Sequence, residues 1–199
     1  MKKYLLPAVE IAPVVIAAAL PLFVSLSYQI NLYLTWEGAF RLYEGQIPYR
    51  DFGMPMGYCY WILPAIFFKL FGPYLFTLAK AQAFIHLVSG LSFRWILLRV
   101  GASFKVRLLS MLIFSLTYVL GLIWPQYNHS VIVFQFTALG FILQYLLGQE
   151  VKYKWLYLGG GCFFLVYSFL IKQDGGGLGI LVATALICYS CIELRSPKP

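Results

Sequence analysis

Charge is scarce in this sequence, and acidic charge is scarcer still. Only 11% of the 199 residues are charged, with 15 Lys and Arg against 7 Asp and Glu, whereas a soluble domain carries about 25%. Hydrophobic residues make up 61% of the chain, and its mean hydropathy is +0.80. This composition argues against a soluble domain and indicates an integral membrane protein.

The sequence has four cysteines but no sign of a disulfide framework, and it lacks the common catalytic motifs. Cys188 and Cys191 have a redox-like spacing, but no second pair and no nearby histidine accompany them, so we interpret them as buried inert thiols. No GxGxxG, P-loop, HExxH or GxSxG pattern occurs in a suitable context. The formal charge is +8, and the lysines and arginines that carry it cluster between apolar runs and form no basic face. This distribution therefore favours membrane orientation and lipid headgroups over a nucleic-acid partner.

Apolar runs of about 20 residues recur along the chain, where a membrane β-barrel would show short alternating strands. We therefore predict an all-α, polytopic transmembrane helical bundle that forms a single domain over residues 1–199. A first span covers residues 4–28, and an outer loop with interfacial helices covers residues 29–73. Five further spans lie within residues 74–193. The expected total is about six spans.

The positive-inside rule gives this layout an orientation. Placing the amino terminus in the cytoplasm puts four basic groups inside: Lys2 and Lys3, the cluster from Arg94 to Arg107, Lys152 with Lys154, and Arg195 with Lys198. The same arrangement puts four acids outside: Glu37, Glu44, Asp51 and Asp174. This arrangement agrees with the positive-inside rule only if residues 58–70 lie at the membrane interface and do not cross the membrane. We expect a plasma-membrane protein whose active side faces outward.

The outer loop is the most polar part of the chain. Residues 36–44 fit a helix that Gly45 ends, and Pro48 requires an extended residue before it. Residues 58–70 predict a short apolar helix that ends at Gly72, with its aromatic side chains forming an interface belt. The glycines at positions 175–177 suggest a flexible hinge before the last span.

Three outer elements should converge: residues 37–51, the loop at 126–129, and residues 172–174. A carboxylate beside lipid has a raised proton affinity unless it is paired, so it can act as a general base. Arginine and lysine at the same surface suit a phosphate group. Base and cations together suit transfer from a phosphate-bearing lipid, because the base activates an acceptor hydroxyl and the cations stabilise the departing phosphate.

At these residues the chain resembles a known family. WEGAFRLYEGQIPYRDFGMPMGYCYW at 36–61 and FFKLFGPY at 67–74 resemble the first outer loop of the glycosyltransferase C superfamily, which includes protein mannosyltransferases and aminoarabinose transferases. Residues 45–51 match its G-x-x-P-Y-x-D turn, and IKQDGG at 171–176 is similar to the lysine-bearing end of a later span. Trp36 stands where the family has the first of two acids. With about six spans, the chain corresponds to the amino-terminal part of a family member, as a fragment, a split subunit or a degenerate relative.

The resemblance implies a polyprenyl-phosphate-linked sugar as donor and a lipid, glycan or protein of the cell envelope as acceptor. A second subunit that supplies the missing spans is a further candidate partner. We expect no cofactor; a divalent metal is compatible with such a site but is not indicated. The resulting candidates are Glu37 and Asp51 as catalytic carboxylates, one of which acts as the base; Arg41, Arg50 and Lys172 as donor-phosphate ligands; and Tyr49, Asp174 and His129 as substrate-binding residues.

Each candidate also has a structural interpretation. Glu37 and Arg41 form an i, i+4 pair on a helix, and Asp51 suits a turn in which it accepts local N–H groups. Arg50 and Lys172 suit headgroup anchoring. His129 then belongs to a polar interfacial loop, and His86 is a packed, hydrogen-bonded histidine. The alternative function is a non-catalytic polytopic membrane protein, either transporter-like or an assembly subunit. A transporter predicts ionisable groups at mid-membrane and paired broken helices, whereas polar groups here gather at one interface.

Overall fold

The structure, a computed structural model, describes residues 2–26, 29–53, 57–148 and 153–195. Over these residues the chain forms helices and connecting turns but no strand. A 3-10 turn, Leu20–Leu22, follows the first helix, and a π-helical segment, Ser115–Val119, follows the fifth. The α-helices are α1 (Lys2–Ala19), α2 (Ile30–Tyr43), α3 (Cys59–Phe71), α4 (Leu75–Arg99), α5 (Phe104–Phe114), α6 (Tyr127–Leu147), α7 (Lys154–Ile171) and α8 (Gln173–Arg195).

Parts of the predicted layout lie outside the described residues. They include Lys152 of the third basic group, Lys198 of the tail, and residues 27–28 at the end of the first predicted span. The side chains of Lys2, Lys3 and Arg195 are likewise not described.

Four of the helices are long and apolar enough to cross a membrane: α4, α6, α7 and α8. The apolar segment Leu6–Leu22, formed by most of α1 and the 3-10 turn, and the 11-residue α5 are shorter. Helix α3 has 13 residues, fewer than the roughly 20 that a span needs. The all-helical fold is therefore confirmed, as is the short α3, and the four long apolar helices indicate a membrane protein.

Contacts between helices define the relative directions of α1, α4 and α6. Val14 of α1 packs against Gly90 of α4, and Glu10, one turn earlier, contacts Arg94, one turn later, so these helices are antiparallel. Ser92 of α4 bonds Thr137 of α6 at 2.9 Å. His86 and Trp95 of α4 lie beside His129 and Gly140 of α6, in the same order along both helices. Helices α4 and α6 therefore run parallel and carry their amino-terminal ends to the same end of the bundle.

The outer-loop helices form the centre of the main core. Tyr60, Trp61 and Phe68 of α3 are 3%, 1% and 0% exposed and pack with residues of α2, α4, α6 and α7. Gly38 of α2 makes this packing possible, because a Cβ there would overlap the Trp61 ring. The predicted interface belt is wrong for these three aromatic residues, since residues of these four helices cover the face on which they lie.

The ends of α2 and α3 follow the glycine signals in the sequence. Gly45 has a φ of 82°, and the N–H groups of Gly45 and Gln46 bond the Leu42 and Arg41 carbonyls at 3.1 and 2.9 Å. This Schellman arrangement satisfies the last carbonyls of α2. Gly72, with a φ of 85°, ends α3 in the left-handed region.

Two sequence interpretations are wrong in the second half of the chain. Helix α8 begins at Gln173, so the three glycines are helical and are not a hinge; Gly176 packs against the backbone of Phe169, leaving no room for a Cβ. Cys188 and Cys191 are exposed on the surface of α8, because little of that helix is covered by its neighbours. The only buried cysteine among the described residues is Cys59.

A buried ion cluster that the sequence did not predict joins α1, α4 and α5. Glu10 is 0% exposed; its Oε2 lies 2.7 Å from Arg94 Nε, and its Oε1 lies 2.7 Å from Arg107 Nη2. Arg107 Nη1 also donates to the Ala102 carbonyl at 2.6 Å. Since a buried charge is costly unless it is paired and hydrogen-bonded, this cluster fixes the relative positions of the three helices.

We predict that Glu10→Gln strongly destabilises the protein, because two arginines lose the carboxylate that compensates them. Removal of one partner from a buried ion pair costs about 3–5 kcal/mol. The measurement is the apparent unfolding transition in detergent, with Glu44→Gln at an exposed site as the matched control. Equal transitions for both variants would contradict the structural role of the cluster.

Candidate functional site

A cavity of about 750 Å³ opens where the outer loop meets the connection between α7 and α8. The Tyr49 turn and the Gly57–Tyr58 segment form one wall, and the first residue of α6 forms another. The carboxyl-terminal end of α7 and the first residues of α8 complete the lining. Its residues are Tyr49, Gly57, Tyr58, Tyr127, Phe169, Leu170, Ile171, Lys172, Gln173 and Asp174.

The charged groups of this cavity come from a one-residue connection. Lys172 is extended, with its N–H bonded to the Ser168 carbonyl at 3.1 Å, and α8 begins at the next residue. The ammonium of Lys172 lies 3.2 Å from a carboxylate oxygen of Asp174 and 5.5 Å from the centre of the Tyr127 ring. The Lys172 side chain is 34% exposed. The cavity therefore presents a partly exposed cation between a carboxylate and an aromatic ring.

Backbone contacts hold the outer loop against α7 at this point. The N–H of Gly57 donates to the Ile171 carbonyl at 3.2 Å, and the Tyr167 hydroxyl donates to the Cys59 carbonyl at 2.9 Å. A Cβ at position 57 would overlap the Leu170 carbonyl oxygen. Glycine is therefore required where the loop meets the helix.

Tyr49 lies in a tight turn that Asp51 maintains. Tyr49 has a φ of 66°, an uncommon value for a residue other than glycine. The N–H of Ile47 donates to Asp51 Oδ2 at 2.7 Å, and Arg50 donates to both carboxylate oxygens at 2.8 and 2.9 Å. The hydrogen bonds from Arg50 and Ile47 lower the pKa of Asp51 to about 2, and the Asp51 carboxylate raises the pKa of Arg50. Asp51 and Arg50 are thus paired in the turn and do not line the cavity.

Glu37 and Arg41 form a second local pair outside the cavity lining. Arg41 donates through Nη2 and Nε to Glu37 Oε1 at 2.6 and 3.1 Å, and through Nη1 to the Gln46 side chain at 3.2 Å. Its guanidinium lies 5.4 Å from the centre of the Phe52 ring. Arg41 therefore uses all three nitrogens on protein partners. The Glu37 side chain is 45% exposed, and both Arg41 bonds end on one of its oxygens.

His129 is buried within the bundle. Helix α6 begins at Tyr127, which makes His129 a helical residue that is 5% exposed, with its ring 5.4 Å from that of His86. The interpretation of His129 as part of a polar interfacial loop is wrong. His86 is 0% exposed and bonds the Leu122 carbonyl at 2.9 Å, which confirms it as a packed, hydrogen-bonded histidine.

The cavity thus gathers Tyr49, Lys172 and Asp174 of the predicted site residues, whereas Glu37, Arg41, Arg50, Asp51 and His129 lie outside its lining. Tyr58, Tyr127 and Gln173 line it without having been proposed as site residues. Tyr127 lies two residues after Pro125, and a proline is one of the sequence signals for a helix start. This signal could have placed Tyr127 at the start of α6, where it lines the cavity. The described part of the chain contains no group of three or more His, Cys, Asp or Glu side chains suited to a metal ion.

These features define a helical membrane protein with a cavity at one end of its bundle, lined by aromatic, apolar and charged residues. No protein-family model, no curated protein and no solved structure matches the chain.

We predict that Gly57→Ala displaces the outer loop from α7, because the new methyl group collides with the Leu170 carbonyl. The exposed Arg50 in that loop then becomes a faster site of limited trypsin cleavage. Gly53→Ala is the matched control, since nothing lies within 4 Å of a Cβ there. Equal cleavage of the two variants would show that this contact does not hold the loop.

Proposed function

We propose that this chain is a membrane glycosyltransferase, or the amino-terminal portion of one, that moves a sugar from a polyprenyl-phosphate donor to a cell-envelope acceptor. One observation carries the proposal. Tyr49 of the G-x-x-P-Y-x-D turn and Lys172 and Asp174 of the IKQDGG segment are far apart in sequence yet line one cavity. These are two of the segments on which the resemblance to the glycosyltransferase C superfamily rests.

The proposal includes a complete topology. The four long helices cross the membrane, and α1 and the joined α5 and π-helical segment make two shorter crossings, which gives six. The antiparallel α1 and α4 and the parallel α4 and α6 support this alternation. In the plasma membrane, with the amino terminus in the cytoplasm, the cavity then faces outward, and the arginines near Glu10 lie at the cytoplasmic end.

In the proposed reaction, Lys172 attracts the donor phosphate. Its ammonium is the one cation among the described lining residues, and a compact ammonium suits a phosphate as a point charge. The acceptor oxygen forms a bond to the sugar carbon as the bond from that carbon to the phosphate oxygen breaks. Polyprenyl phosphate leaves with the electron pair, and Lys172 stabilises its negative charge. Tyr49, Tyr58 and Tyr127 supply an aromatic wall for the sugar.

Glu37 is the proposed base that takes the proton from the acceptor hydroxyl. Because Glu37 lies outside the cavity lining, this role requires the acceptor to approach the donor from outside that lining. Both Arg41 bonds end on Oε1, and the described residues give no partner to Oε2, so that oxygen is available to a substrate. Asp51 suits this role less well, because a carboxylate with a pKa of about 2 is a weak proton acceptor at neutral pH. In this scheme Asp51 positions Tyr49, and Arg41 positions Glu37.

The first test is sugar transfer in membranes from a panel of radiolabelled polyprenyl-phosphate monosaccharides. We expect Glu37→Gln to lower the transfer rate by about 10²–10⁴-fold, as loss of a general base does. Lys172→Ala should also lower transfer, and Glu44→Gln is the matched control. Full activity of Glu37→Gln would remove Glu37 from the mechanism. No transfer from any donor, alone or with neighbouring gene products, would favour a non-catalytic protein.

The pH dependence of transfer separates the two acids. The pKa of Asp51 is about 2, so it stays ionised throughout the range in which transfer is assayed. The acidic limb of the pH–rate profile should therefore keep its position in Asp51→Asn, with any loss of rate arising from the Tyr49 turn. A limb that disappears in Asp51→Asn would instead assign the base to Asp51.

A further inference from the structure

The end of the bundle opposite the cavity carries uncompensated positive charge. Arg94 and Arg107 share the single carboxylate of Glu10, so one cation there has no matching anion. Arg99 ends α4, and Lys105 lies in the first turn of α5. Both are exposed, and the described residues form no ion pair with either. Four cations therefore face one carboxylate in this region.

The cavity end is more balanced, because three of its acids form local ion pairs: Glu37 with Arg41, Asp51 with Arg50, and Asp174 with Lys172. Its described residues also include one acid, Glu44, and two cations, Lys69 and Lys80, that form no ion pair. Positive charge is thus more concentrated at the α4–α5 end, with four cations for one carboxylate, than at the cavity end. A cluster of positive charges on a membrane-spanning bundle attracts anions.

The hydrogen-bonding groups of the cluster are not all used. Arg107 donates Nε and Nη2 to Glu10, and Nη1 to Ala102. Arg94 holds Glu10 through Nε at 2.7 Å, and no hydrogen bond from its terminal nitrogens is seen within the described part of the chain. Its side chain is 17% exposed. Arg94 can therefore donate outward while it still compensates Glu10.

Apolar side chains surround these cations on the outside of the bundle. Leu98, Val106 and Leu109 are 37%, 52% and 59% exposed on the same ends of α4 and α5. Inorganic phosphate has no apolar group that could cover this surface, whereas the acyl chains of a phospholipid can cover it. Basic sites between transmembrane helices commonly hold the headgroups of anionic lipids.

We propose that the α4–α5 end binds the phosphate of an anionic phospholipid. Arg94 donates to the phosphate from within the helix interface, Arg99 and Lys105 contact it from the rim, and the acyl chains lie along Leu98, Val106 and Leu109. This site is separate from the cavity and does not depend on the proposed transferase activity.

The experiment compares binding of phosphatidylglycerol and phosphatidylcholine to the purified full chain in detergent, with lipid adducts counted by native mass spectrometry. The test variants are Arg94→Gln, which leaves Glu10 bonded to Arg107, and the double variant Arg99→Gln/Lys105→Gln, which leaves the buried cluster intact. The control is Lys69→Gln/Lys80→Gln, which removes two cations near the start of α4, at the cavity end. If Arg94→Gln fails to fold, the double variant tests the site alone.

We expect wild-type protein to prefer phosphatidylglycerol, with affinity falling about fivefold for each cation removed at the α4–α5 end. The Lys69→Gln/Lys80→Gln control should keep the wild-type preference. Equal losses in the control and test variants would overturn the proposal, because they would show attraction to net charge only. Displacement of the lipid by millimolar inorganic phosphate would also overturn it in favour of a free-phosphate site.

Discussion

The cavity depends on one backbone contact between distant parts of the chain. The N–H of Gly57 reaches the Ile171 carbonyl at the end of α7, and the Tyr167 hydroxyl reaches the Cys59 carbonyl one turn away. The contact requires a residue without a side chain, since the Leu170 carbonyl occupies the space of a Cβ. It also satisfies a carbonyl at the end of a membrane helix, where an unpaired group is costly. The same interaction therefore closes α7 and builds a wall of the cavity.

Charge compensation organises the rest of the protein. At the cavity end Glu37, Asp51 and Asp174 each have a local base, so the polar outer loop can lie against an apolar bundle. At the other end one carboxylate joins three helices through two arginines and leaves positive charge in excess. The two ends therefore suit different ligands. The cavity offers a cation beside aromatic rings, and the α4–α5 end offers a cationic cluster bordered by exposed leucine and valine.

Local signals in the sequence predicted much of this fold. Gly45 and Gly72 mark the ends of α2 and α3, because both adopt backbone angles that other residues rarely take. What could not be predicted depends on contacts between helices. Trp61 is buried because Gly38, on another helix, leaves room for its ring. Glu10 finds Arg94 and Arg107 only once α1, α4 and α5 have packed. Of the predicted site, Tyr49, Lys172 and Asp174 come together, whereas Glu37 and Asp51 are held by neighbours in their own segments.

The most direct test of the account is protection of the cavity from a maleimide by polyprenyl phosphate. Gln173→Cys places a thiol in the lining, with the exposed Cys162, Cys188 and Cys191 replaced by serine. Glu44→Cys in the same background provides an exposed thiol outside the lining. We predict that polyprenyl phosphate slows labelling at position 173 and leaves labelling at position 44 unchanged. Equal labelling rates at position 173 with and without the lipid would contradict a role for this cavity in donor binding.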